Sequence, residues 1–349
     1  MRLHQSSVGR VIRRMVTLTL GEERSLRIAR RVTAHLRDRG IGLAKVPRPH
    51  PDDASIEIPR TYCEVPGVLG RYWVEMRGYG RAPGLEDLEQ AEIHPDEWPL
   101  LREPYEAPWV DYPFGRHRNP VTTTQWGFAD LLRAEATGEQ RFYERAAAAG
   151  EWLLEQQSAD GAWRVGFDFA DLPRGWVSAM YQGQAISLLL RLNGGNPDAR
   201  FVASSQAAYE FMMTDQSDGG TLGLFADGSP VLEEYPGSSR YPHVLNGSIF
   251  ALWGIYDLWL SLGDPRVLRR WEELTSSLEG HLSEYDTGRW TTYAMGPPIA
   301  NPGYHRLHVA QCRVMYALRG QRVWHSTAQR WERYLVRWAG RPVRSYGYP

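Results

Sequence analysis

One stretch, residues 231–260, constrains the fold more than any other. It reads VLEEYPGSSRYPHVLNGSIFALWGIYDLWL. In its second half Ile249, Leu252, Trp253, Tyr256 and Leu260 fall at i, i+3, i+4, i+7 and i+11, one apolar stripe that calls for a packed helix. The first half is polar. Glu233, Glu234 and Tyr235 precede Pro236-Gly237-Ser238-Ser239, residues that build turns. Two carboxylates and a phenol therefore sit on a loop rooted in a rigid helix, a common setting for catalytic groups. The plain alternative is a pair of solvated loop charges.

The helical pattern holds from about Asn119 onward. Phe142, Ala146, Ala149 and Leu153 make one stripe, and Tyr181, Ala185, Leu188 and Leu192 the next. Ser178 is placed to cap the second helix, and Asn193-Gly194 to close it. Asn196-Pro197 predicts the start of the following helix, and Asp264-Pro265 another whose stripe is Val267, Trp271, Leu274 and Leu278. A last helix carries Trp331, Tyr334, Leu335 and Trp338. The loops between helices recur in kind: Asp160-Gly161-Ala162-Trp163, Asp218-Gly219-Gly220, and Asp286-Thr287-Gly288-Arg289-Trp290. Helix pairs joined by such loops at a rough period predict a mainly α fold, an incomplete (α/α) toroid with its loops around a cleft.

The chain before this region differs. Twelve of the 23 prolines lie in residues 47–120, and proline breaks long helices. A surface helix is expected around residues 28–36, with Ile28, Ala29, Val32 and Leu36 as its stripe and Gly40 as its stop. Short strand-like runs fall at 55–58 and 71–76. The expected organisation is an N-terminal helix and extended Pro-rich arm over 1–112, then a toroid domain over 113–349.

Charge narrows the partners. The 40 basic and 41 acidic residues leave a net charge of −1, so no global excess points to nucleic acid or a membrane surface. Two cysteines make no disulfide framework. Arg10, Arg13 and Arg14 interrupt the apolar residues of the N-terminus, so neither a signal peptide nor a transmembrane segment is read, and the cytoplasm is the expected location. The 14 tryptophans and 18 tyrosines suit sugar faces, although ordinary core packing accounts for most of them. His305 and His308 have a metal-compatible spacing, but no third ligand is spaced to join them, and hydrogen-bonding roles are the simpler reading. There is no phosphate-cradling glycine loop, no GxGxxG and no GxSxG.

Several motifs in order resemble one family, the C-terminal catalytic domain of D-glucuronyl C5-epimerase. Gly175-Trp176-Val177-Ser178-Ala179-Met180-Tyr181-Gln182-Gly183-Gln184-Ala185-Ile186-Ser187 is similar to its GW-SAM-QGQAIS run. Glu233-Glu234-Tyr235-Pro236, Val244-Leu245-Asn246-Gly247 and Gly254-Ile255-Tyr256-Asp257-Leu258 match its EEYP, VLNG and GLYDL series. Tyr285-Asp286-Thr287-Gly288, then Tyr304-His305, His308 and Gln311, then Arg330-Trp331 follow. The likeness covers roughly residues 119–340. Two departures stand out. The large β-domain of vertebrate members has no room here. The family also has an arginine three residues after the tyrosine matching Tyr293, where this chain has Gly296.

The resemblance implies catalysis by Glu234, Tyr235, Tyr293 and Tyr304, with Glu234 and Tyr304 as the opposed proton-transfer pair. It implies substrate contacts from Gln125, Trp126, Trp176, Gln182, Asn246, His305 and His308; Arg306, two residues after Tyr304, is the candidate to replace the missing arginine. No metal or other cofactor is expected. The implied partner is an acidic, heparosan-like polysaccharide, and the family's habit of dimerising implies a homodimer. The implied activity is C5 epimerisation of D-glucuronate to L-iduronate within the polymer. That chemistry needs a base, an acid across the ring and charge stabilisation at the substrate carboxylate. The alternatives are a uronate lyase, which shares C5 proton abstraction, and a non-catalytic glycan-binding protein.

Overall fold

The computed structural model describes residues 114–296 and 298–340, with 57–58, 67, 69–72, 109–112 and 344–345. The helix expected over 28–36 and most of the Pro-rich arm lie outside the described residues. Of the arm, β1 (Glu57–Ile58) pairs in parallel with the C-terminal β6 (Arg344–Ser345). Tyr72 stacks on Phe128 with ring centroids 4.1 Å apart. A hairpin of β2 (Trp109–Tyr112) and β3 (Gly115–Arg118) precedes the helices, and a second one, β4 (Leu222–Leu224) with β5 (Pro230–Leu232), interrupts them.

Eight α-helices follow among the described residues: α1 (Pro120–Thr137), α2 (Gln140–Gln156), α3 (Ala179–Gly195), α4 (Ala199–Met212), α5 (Leu245–Leu262), α6 (Pro265–His281), α7 (Pro302–Arg319) and α8 (Arg322–Ala339). They pack as four hairpins, α1/α2, α3/α4, α5/α6 and α7/α8, while α1, α3, α5 and α7 stand side by side. Burial separates the two sets. In α5 every residue from Leu245 to Leu258 is buried, and α3 is buried over nearly its whole length. By contrast α6 buries only Val267, Trp271, Leu274, Thr275 and Leu278, the stripe expected for a helix with one face in solvent. The result is an inner row of four helices backed by an outer row. It is an incomplete (α/α) toroid, as the loop spacing predicts.

Local chemistry explains the element ends. Asn119, Asp264 and Asn301 each accept a backbone N–H with their side chains, and proline fills the first helical position after each. Gly138, Gly263, Gly320 and Gly340 close helices in the left-handed conformation. Two expected caps are corrected. Asn196 does not cap α4; Asp198 does, accepting from the Arg200 amide at 2.9 Å. Ser178 stands before α3, but its hydroxyl makes no capping bond. Instead the carbonyl of Glu233 accepts from the Ala179 amide at 2.9 Å. The loop that carries the two glutamates thus caps an inner helix.

Candidate active site

The inner helices present their N-terminal ends to one apolar cluster. Val121 enters it from α1, Trp176 from the loop before α3 and Tyr181 from its first turn, Tyr235 and Val244 from the loop before α5, and Ala294 from the loop before α7. Peptide dipoles give each of these helix ends a partial positive charge, which favours an anionic ligand nearby.

Glu234 lies at the centre. Its carboxylate is buried, with only 2% of the residue exposed. Oε1 accepts from the Tyr293 hydroxyl at 3.2 Å, and Oε2 from Asn246 Nδ2 at 3.3 Å. The space beside it exists because residue 247 is glycine. A Cβ there would come within 2.2 Å of Glu234 Oε2. Burial pushes the Glu234 carboxyl up to about 7, against the hydrogen bonds from Tyr235, Tyr293 and Asn246. A carboxylate tuned to that range exchanges protons at neutral pH, as a general base must.

The phenols surround it. Tyr235 and Tyr293 hydroxyls lie 3.4 Å apart. Burial and the adjacent Glu234 charge raise both well above their ordinary value, so both stay protonated and act as donors. Tyr304 packs on Tyr293 with centroids 4.7 Å apart and is 37% exposed. It is the solvent-facing member of the set. Trp176 and Phe169 back Tyr235 at 5.5 and 5.2 Å, and Tyr241 reaches Tyr235 and Tyr293 at 5.7 and 5.9 Å.

The four expected catalytic residues therefore come together, joined by Trp176 and Asn246. Five expected substrate contacts do not. Gln125 donates to Gln184 at 3.2 Å inside the helix row, and Trp126 belongs to the main core. Gln182 pairs with both backbone groups of Trp163, each at 3.2 Å. His305 stacks on Trp290 at 3.8 Å, accepts from the Thr291 amide at 3.2 Å and reaches the Trp331 carbonyl at 3.0 Å. His308 lies 3.1 Å from the Thr291 hydroxyl. Both histidines are fully buried, and burial drives His305 down to about 4 and His308 well below the usual imidazole value. They are neutral groups that lock the loop before α7, with no surface left for a sugar. Arg306 is half-buried on the first turn of α7 and is already engaged. Among the described residues no group of three or more His, Cys, Asp or Glu side chains is placed to hold a metal.

Sequence reasoning missed Phe169, Tyr241 and the pair formed by Glu233 and His243. Glu233 is buried, and its Oε1 lies 2.5 Å from His243 Nδ1. The first two stand in loops with no period to mark them. The pair offered a signal, a buried-type carboxylate ten residues from a histidine in one turn-rich loop.

The chain matches the family model of the D-glucuronyl C5-epimerase C-terminus over residues 156–333. It belongs to that family. It is 33% identical over 247 residues to the D-glucuronyl C5-epimerase of Caenorhabditis elegans, covering 62% of this chain and 39% of that protein. The chain thus spans well under half of the worm relative's length. It is also 25% identical over 207 residues to an uncharacterized protein of Methanocaldococcus jannaschii, covering 55% of this chain and 67% of that one. Among solved structures, cellobiose 2-epimerase from Spirochaeta thermophila aligns at 11% identity and a TM-score of 0.49, over 71% of this chain and 70% of its own. A D-mannose isomerase aligns at 13% identity and 0.41, over 63% and 56%. No helix among the described residues is long and apolar enough to cross a membrane.

Proposed function

We propose that this protein is a polysaccharide glucuronyl C5-epimerase that converts D-glucuronate to L-iduronate within a heparosan-like chain. One observation carries the reading. A buried carboxylate poised near neutrality takes the Tyr293 O–H, and Tyr293 in turn touches Tyr235 and an exposed Tyr304. The C5 proton passes to the Glu234 carboxylate, which the Tyr293 hydroxyl orients by donating to Oε1. The electron pair left at C5 delocalises into the substrate carboxylate as an enolate. A tyrosine proton then returns to C5 from the opposite face; Tyr304, on the open side, is the donor this reading assigns, and it regains a proton from solvent while Glu234 releases the one it took. Both tyrosines that flank Glu234 are protonated donors that stabilise developing negative charge without reorganising.

The test is incubation with heparosan in D₂O. Deuterium at C5 and new iduronate, with chain length unchanged, support the proposal. An ultraviolet-absorbing unsaturated uronate with chain cleavage would identify a lyase instead. Binding with no exchange at all would leave a glycan-binding protein.

A further inference from the structure

Two loops meet over the tyrosine cluster, and each holds a residue in a conformation that side chains rarely adopt. Ala170 has φ of 52° and His243 has φ of 50°. Such residues persist where the surroundings over-determine them, and they gather at functional sites. Just after Ala170, Asp171 turns onto the second loop. Its Oδ1 accepts from Ser238 Oγ at 2.6 Å. Its Oδ2 accepts from the Ser239 amide at 2.8 Å, Ser239 Oγ at 2.9 Å and the Arg240 amide at 3.3 Å. At the other end the Pro242 carbonyl accepts from the Met295 amide at 3.0 Å, and His243 is paired to Glu233. The segment from 238 to 243 is therefore pinned on both sides.

What it presents is Arg240 and Tyr241. The Tyr241 ring leans on both Tyr235 and Tyr293. The guanidinium carbon of Arg240 lies 5.4 Å from the centroid of that ring. Arg240 is exposed and, among the described residues, has no carboxylate paired with its guanidinium. Asp171 meets only its backbone amide and does not neutralise it. An exposed fork of donors, on a backbone held by Asp171, thus stands beside a set of neutral phenols.

We propose that Arg240, carried on the Tyr241 ring, receives the carboxylate of a uronate bound over Tyr235 and Tyr293. The proposal rests on the uronate reading above. A guanidinium holds a carboxylate through two parallel hydrogen bonds. A loop already ordered by Asp171 loses little freedom when it does so.

The experiment compares binding of heparosan oligosaccharides with the same chains after their carboxyls are reduced to alcohols. The wild-type protein should prefer the acidic chain. Arg240→Ala should lose that preference by about tenfold or more, the scale of a charge-assisted contact. Arg240→Lys should recover part of it, because the charge remains and the fork does not. Thermal unfolding of each variant should match wild type, since the side chain is exposed. A wild-type preference that survives in Arg240→Ala overturns this proposal alone. A wild-type protein that binds both chains equally overturns the uronate reading, and the proposal with it.

Discussion

At the scale of single residues, Glu234 and Glu233 are neighbours in sequence with opposite tasks. Burial raises the Glu234 carboxyl more than its neutral donors lower it; Glu233 faces His243. Glu234→Gln should lower turnover by about 10²–10⁴-fold, the usual worth of an acid–base group. The wild-type pH profile of kcat/KM should climb through about 7, because the base must be ionised, and the variant's residual activity should lack that limb. A profile flat across that range would remove Glu234 from the proton path. Sequence order assigns the functional weight to Glu234-Tyr235, and the structure gives Glu233 a structural task as heavy. His243→Ala leaves a buried carboxylate short of a partner, and should cost about 1–3 kcal/mol of stability, read by denaturant unfolding. Nothing in the order Glu-Glu-Tyr says which carboxylate turns inward to the phenols. That depends on what stands across the loop.

At the scale of elements, the contact between α3 and α5 organises the helix row. A Cβ on Gly183 would fall 2.6 Å from Ala251 Cα, and one on Gly254 would fall 2.4 Å from the Gly183 carbonyl. The two backbones touch, so neither position has room to relax. Gly254→Ala should destabilise by about 1–3 kcal/mol, the cost of overpacking a filled core, seen as a lower Tm. Gly247→Ala, which would displace the Glu234 carboxylate, should cost activity well before it costs the fold. The test is turnover measured beside the Tm; wild-type turnover in that variant would show that Glu234 can shift without consequence. The outer helices were legible from their stripes, and Asp264-Pro265 from its capping chemistry. Helix α4 starts two residues later than Asn196-Pro197 predicts, with Asp198 accepting from the Arg200 amide as its cap. The inner helices were legible as helices but not in orientation. When a helix is buried on all sides, periodicity does not tell which polar side chain meets the cleft and which pairs inside. The family resemblance implies Gln125, Gln182, His305 and His308 as substrate contacts, whereas the structure turns all four inward to protein partners.

At the scale of the whole molecule, buried Glu234 and buried His305 link stability to pH with opposite sign. Glu234 is raised, so between about 4.5 and 7 the folded protein holds a proton that the unfolded chain has released, and stability falls as pH rises. His305 is depressed, so its contribution is present above about 6.5 and is lost as pH falls through about 4. Glu234→Gln removes only the first effect. The variant's Tm should exceed wild type by an amount that grows from pH 4.5 to pH 7 and then levels, and on the order of 3 kcal/mol is the upper scale for a shift of that size. An equal Tm difference at every pH would show that Glu234 is not raised. The sequence by itself determined the class of fold, because stripe spacing and caps are local and each helix carries its own. It determined that Glu233, Glu234 and Tyr235 stand on a turn ahead of a packed helix, because turn chemistry is local as well. Only the tertiary structure decided that Glu234, Tyr235, Tyr293 and Tyr304 converge at the N-terminal ends of the inner helices. It also decided that Glu233 turns to His243 and that Arg240 is held by Asp171 from a loop nearly seventy residues earlier. These are contacts between groups far apart in the chain, and their energies come from burial and from partners that no local pattern encodes.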